Sequence, residues 1–347
     1  MIFEEALRNV AFALVRTGAF MANGFLFGLP LLLLLVLRPA LIEQDEWAAP
    51  ARRRLSLRLE GLVQAALWAS ATASAVTIVL QAVLISELRK GGFGADSISA
   101  VFESSFGRWY LLRLPLLAAL AVLLTGKVRK LGLAGARGDN TRAPGRAWWW
   151  AWIVLALALL STSSFSGHAS VSTPLVLALM NDVIHLASGA LWFSGIVVLA
   201  ALMPGAWRRL EPDRRIPFLT PVVVRFSKVA LFAIAAVALT GTFNSLFNVE
   251  AAKDLIGSGY GQLLSVKILM FLGVLALGAL NHFYVRRSLE KSVAAVTPSS
   301  PHRLFRKLVA IELLLALVII GLTGLITGSA RTRESTSPSS TSFTSQY

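Results

Sequence analysis

One stretch of this sequence gathers side chains that can bind or exchange ions inside an otherwise apolar run: NDVIHLASGALWFSGIV, from Asn181 to Val197. On a helix at 100° per residue, Asn181 lies about 40° from His185, Asp182 about 60°, Gly189 about 40° and Trp192 about 20°. An amide, a carboxylate, an imidazole and an indole therefore share one face. Imidazole nitrogen and carboxylate oxygen are ligands for borderline and harder metal ions. Asp182, at i−3, is placed to accept the ring N–H of His185, an arrangement that orients an imidazole and raises its basicity as a ligand. The alternative is a packing hydrogen bond between His185 and Asp182 or a neighbouring helix.

The elements that must position this face are long apolar segments. Of 347 residues, 56% are hydrophobic and 15% charged, and the mean hydropathy is +0.68. Soluble domains carry about 25% charged residues, which argues against a water-soluble enzyme. Segments of roughly 20 apolar residues bounded by charge or by Pro and Gly occur at 13–37, 62–85, 109–126, 147–165, 176–202, 222–246, 262–285 and 308–328, predicting an all-α integral membrane protein with an eight-helix bundle. The first follows Glu4 and Glu5 rather than a basic stretch and is read as a retained span.

Lys and Arg set the orientation. The first, third, fifth and seventh loops hold 21 of them, while the opposite side holds eight. By the positive-inside tendency the odd loops are cytoplasmic and both termini are extracytoplasmic. The same asymmetry accounts for most of the net charge of +15 without a nucleic-acid partner. Residues 1–330 are read as one transmembrane domain and 331–347 as a Ser/Thr-rich disordered tail. The outer stretch Gly91 to Tyr110 has room for a short amphipathic helix at the membrane surface. With no cysteine, disulfides, thiolate metal sites and cysteine nucleophiles are excluded.

Within this frame His185 sits about 15 Å inward from Leu175. His168, in FSGHAS, follows the fourth span, and the short loop to Pro174 makes the fourth and fifth spans antiparallel neighbours, so His168 could fold inward to share a site with His185. His282 and His302 belong to the other side. Met21 in the first span is a candidate soft ligand, and Met180 a weaker one, about 140° from His185. Thr240 and Asn244 share a face of the sixth span. Arg113 and Lys267 are candidate counter-ions for Asp182, or cations that snorkel to headgroups.

Six motifs in order carry a resemblance: GHAS (Gly167 to Ser170), NDVIHLASGALWFSG (Asn181 to Gly195), RFSKVAL (Arg225 to Leu231), LTGTFNSL (Leu239 to Leu246), YGQLLSVKI (Tyr260 to Ile268) and LGALNHF (Leu277 to Phe283). Together they resemble the copper resistance D (CopD) family, which includes the membrane portion of YcnJ-type copper importers. The likeness is closest over 155–328. Over the first three spans it rests chiefly on FGRWYLLR, Phe106 to Arg113. It implies a multi-pass protein of the bacterial inner membrane that passes copper from a periplasmic carrier, CopC-like, toward the cytoplasm. Carried over, the family's GHA histidine is His168, its D..H pair is Asp182 and His185 and its tryptophan is Trp192. To this metal site the helix positions add Met21 as a ligand and Asn181, Arg113, Asn244 and Lys267 as supporting residues. Asn281 matches the family's asparagine at the end of the seventh span. Importers of the family often carry a fused extracytoplasmic copper-binding domain, and none is seen here, so delivery is expected from a separate protein.

Five methionines, one the initiator, are too few for a ladder of thioether sites. Two other function classes fit the same residues. One is an electron-transfer protein with two histidines as axial ligands to haem b. The other is an accessory subunit, in an oligomer or larger complex, whose polar faces hold helices together. No nucleotide-binding GxxxxGK[ST] motif and no hydrolase constellation is present, so neither ATP-driven transport nor catalysis is expected.

Overall fold

The structure, a computed structural model, describes residues 2–89, 92–125, 133, 144–165, 175–248, 259–295 and 301–334. The described residues form helices and no strand. Eight helices are long and apolar enough to cross a membrane: Arg8–Leu41, Glu46–Leu88, Phe106–Leu124, Arg146–Phe165, Val176–Trp207, Pro212–Ser245, Gly261–Lys291 and Leu304–Leu325. They coincide in number and order with the eight expected spans. A short helix, Ala95–Glu103, occupies the stretch between the second and third. The last helix, Pro301–Glu334, runs four residues past 330, and 335–347 lie outside the described residues.

Several helices outrun the apolar segments. The second, Ala49–Leu88, has 40 residues. At 1.5 Å per residue that is about 60 Å, twice the hydrocarbon thickness. Its basic first turns stay helical because Leu55, Leu59 and Val63, four apart, are fully buried. Arg52 is buried beside them and donates to the carbonyls of Leu41, at 3.0 Å, and Gln44. Both carbonyls lie at the end of the first helix, where the Leu41 carbonyl also accepts from the Gln44 N–H, so the guanidinium ties that end to the second helix.

The first helix is the hub: 72% of its most apolar window is buried, against 11% for the seventh span. It packs against the second, fourth, fifth and eighth spans. Small residues permit this. A Cβ on Gly28 would overlap the carbonyl of Ala190 and the hydroxyl of Ser194, and one on Gly24 would lie 3.6 Å from the Ala190 Cβ, so the first and fifth helices run parallel in close register. Asn23, fully buried, accepts a 2.6 Å bond from the Ser70 hydroxyl of the second span.

Pro30 lies inside the first helix and has no N–H, so the carbonyl of Leu26, four residues earlier, loses its usual partner. The indole Nε1–H of Trp152, in the fourth span, donates to that carbonyl at 3.0 Å. A neighbouring helix thus satisfies the group that proline frees. Trp152→Phe leaves the Leu26 carbonyl unpaired, and unfolding in detergent should show a loss of about 1–3 kcal/mol. An unchanged melting temperature would contradict this assignment.

Candidate metal site on the fifth span

The polar face of the fifth helix, Leu175–Val197, meets the sixth, Pro212–Asn248. Asn181 Nδ2 donates to the backbone carbonyl of Thr240 at 2.9 Å and to Asn244 Oδ1 at 2.7 Å. Asn244 Nδ2 in turn donates to Asp182 Oδ1 at 3.4 Å. Two residues one turn apart on one helix thus engage two adjacent residues on the other, a cross-link suited to a medium without water.

His185 Nδ1 lies 3.0 Å from Thr240 Oγ1. The Thr240 hydroxyl donates its single proton to the carbonyl of Ala236, one turn back. With that proton on Ala236, the hydroxyl oxygen is an acceptor for Nδ1–H, the tautomer in which Nε2 carries the lone pair. The ring also interacts with the backbone of Val237, one turn before Gly241 on the same helix. Room for the ring comes from Gly241, where an added Cβ would stand 3.2 Å from His185 Cε1 and 3.7 Å from Nδ1.

This differs from the expected intrahelical pair. Asp182 accepts from Asn244 rather than from the ring of His185, because the ring is drawn across the interface by Thr240. The consequence for ligation is similar, since a contact that holds one ring nitrogen orients the other. Lys267, half-buried in the seventh span, interacts electrostatically with both Asp182 and His185. Of the two candidate counter-ions, it is the one that reaches Asp182.

Arg113 is placed elsewhere. Its side chain, 2% exposed, donates from Nε to Thr162 Oγ1 at 2.7 Å and from an amino group to Ser163 Oγ at 3.1 Å, with the guanidinium 4.0 Å above the Tyr110 ring. It joins the third and fourth spans. Trp192 is buried in the apolar core and Met21 is half-buried against it. From the Gly24–Ala190 register, Met21 lies within about 3 Å of the depth of His185. His168 lies outside the described residues. Among the described residues no three His, Asp or Glu side chains form a metal-binding group.

Two family models match the chain in tandem. Residues 7–176 match the copper resistance protein D-like N-terminal domain, and 220–326 match copper resistance protein D. The chain belongs to the copper resistance D family. The CopD match therefore reaches through the first spans, where the motifs alone are sparse. Similar proteins include the copper transport protein CutJ of Bacillus subtilis (strain 168), 28% identical over 231 residues, which is 65% of this chain and 40% of CutJ. Another is copper resistance protein D of Pseudomonas syringae pv. tomato, 27% identical over 142 residues, 41% of this chain and 45% of that protein. The matched regions thus span less than half of either relative. No solved structure matches. CopD membership and eight apolar helices make this a multi-pass membrane protein with a copper-related function.

Two features of the structure have no counterpart in the motif reading. The Trp152 bond to Leu26 was signalled by Pro30 within an apolar run. A buried pair in the seventh and eighth spans, Asn281 and Glu312, was signalled by one acidic letter in the run LVAIELLLALVIIGL.

Proposed function

We propose that the chain is a copper permease of the bacterial inner membrane, without catalytic activity, in which residues 1–330 act as one transmembrane domain with both termini extracytoplasmic. Copper enters at a site in the outer half of the bundle. His185 Nε2 and the Asp182 carboxylate supply two donors, and His168 and Met21 complete the set from the neighbouring loop and the first span. The observation that carries this reading is the His185 imidazole held on the polar interface between the fifth and sixth helices. Its Nδ1 lies 3.0 Å from Thr240 Oγ1, and the ring stands at membrane depth one turn from a carboxylate in a protein of a copper-handling family. Ionisable groups at such depth mark ion pathways more often than packing.

Asn244, itself held by Asn181, donates to the Asp182 carboxylate, Lys267 offsets its charge before metal arrives, and Gly241 keeps the imidazole close to the sixth helix. An arriving cation competes with the ammonium for Asp182, so binding and displacement of Lys267 are linked. A periplasmic CopC-like carrier delivers the metal. Sealed vesicles containing the purified chain in known orientation test this reading directly. Copper added on the terminus side should accumulate inside, and vesicles no more permeable to copper than protein-free ones would overturn it.

A further inference from the structure

Glu312 is the one acidic residue in the apolar run Leu308 to Leu322, about 12 Å along the helix from Leu304. Its side chain is 5% exposed and accepts a 2.6 Å bond from Asn281 Nδ2. Asn281, 9% exposed, opens the π-helical turn Asn281–Val285 that interrupts the seventh span. Such turns are frequent at functional positions, because the extra residue re-aims the side chains around it. The Asn281 Oδ1 atom is buried and has no partner among the described residues, and neither has Nδ1 of the adjacent His282. An acceptor stripped of water is left unused next to a carboxyl group, which is costly unless something occupies it in part of a working cycle.

The charged groups around Glu312 do not neutralise it. The eighth helix packs against the first, fifth and seventh spans and the helix Arg286–Ala295. On these, Arg8 pairs with Glu87, and Arg16, Asp182, His185 and Lys267 belong to the half of the bundle away from the basic loops. On the basic-loop side, Arg286 pairs with Glu290 at 3.1 Å, Arg287 and Lys291 are exposed, and so are Arg306 and Lys307 on the eighth helix itself. His282 and Tyr284, in the π-helical turn, carry further titratable groups there. Among the described residues none forms an ion pair with Glu312. A permanently paired structural carboxylate would have a cation in contact.

We propose that Asn281 and Glu312 form a proton-exchange site in the half of the bundle bearing the basic loops, which couples cation passage to proton movement. The coupling, though not the proton exchange, rests on the permease reading. When no cation is in the interior, a Glu312 oxygen takes a proton from water on the basic-loop side and the group becomes a neutral acid. Asn281 Nδ2 stays bound to the other oxygen, and Oδ1 offers the new O–H an acceptor. As a cation arrives, the O–H bond breaks and the proton returns to water. One proton thus leaves the interior for each cation that enters, and the carboxylate faces the cation together with Asn281 Oδ1. No electron transfer is involved.

Glu312→Gln tests this, because the amide keeps the size of the side chain and its acceptor for Asn281. Infrared difference spectra of purified protein between acidic and alkaline buffer should show a buried-carboxyl C=O band that the wild type gains on acidification and Glu312→Gln lacks. Identical spectra overturn the proposal whatever the protein transports. In vesicles loaded with a pH indicator, copper entry into wild type should move protons, and Glu312→Gln should lower the protons moved per copper by about tenfold or more. Equal proton movement in both proteins, or none in a wild type that transports copper, overturns the coupling. Loss of copper binding by wild-type protein would instead count against the permease reading, leaving the infrared result to decide on the exchange site.

Discussion

Replacing His185 with Ala is expected to abolish copper uptake and copper binding while the eight-helix bundle stays folded. Substituting groups that merely orient a ligand costs about 10- to 100-fold in metal affinity, and removing the ligand itself costs at least the upper figure. Folding is expected to survive, because the substitution removes one neutral hydrogen bond, worth about 1 kcal/mol, and a ring lying against a glycine. Thr240 keeps its bond to Ala236, and Asn181 still ties the fifth helix to the sixth. His168→Ala should weaken binding without abolishing it. Titration of detergent-purified variants with copper reads both effects. Copper stoichiometry and uptake equal to wild type in His185→Ala would remove the site from the account.

The second large effect concerns charge. Asp182→Asn preserves the shape of the side chain and the contact with Asn244, yet it leaves the ammonium of Lys267 facing an amide inside the bundle. Removing the carboxylate that offsets a partly buried ammonium costs about 1 kcal/mol or more, because the remaining charge stays partly desolvated. Asp182→Asn should therefore melt below wild type and bind no copper. Adding Lys267→Met should restore most of the stability without restoring binding. That split separates a carboxylate serving as ligand from one that only balances a lysine. If the double variant binds copper like wild type, Asp182 is not a ligand. If Asp182→Asn melts with wild type, the lysine has another partner.

The eight spans were readable because hydrocarbon imposes length and apolarity on any helix that crosses it, and the charged loops stand out against that background. The polar face of the fifth span was readable from the same contrast, as was the pairing of Thr240 with Asn244. The choice of partner was not. Helical angles place Asp182 near His185, but whether the ring turns along its own helix or across to Thr240 depends on how closely the sixth helix approaches. That approach is set by Gly241, a residue with no polar signal. Arg113 shows the same limit. Its type allowed a role as counter-ion to Asp182, and its position one helix pair away, against Thr162 and Ser163, follows from packing order. Glu312 was visible as a letter, and its meaning emerged only with Asn281 placed beside it.

Elemental analysis and a visible spectrum of the detergent-purified chain test the central claim most directly. The account predicts copper bound to wild-type protein and lost from His185→Ala, with no Soret band in either. Protein that binds haem, or protein whose copper content is indifferent to His185, would contradict it.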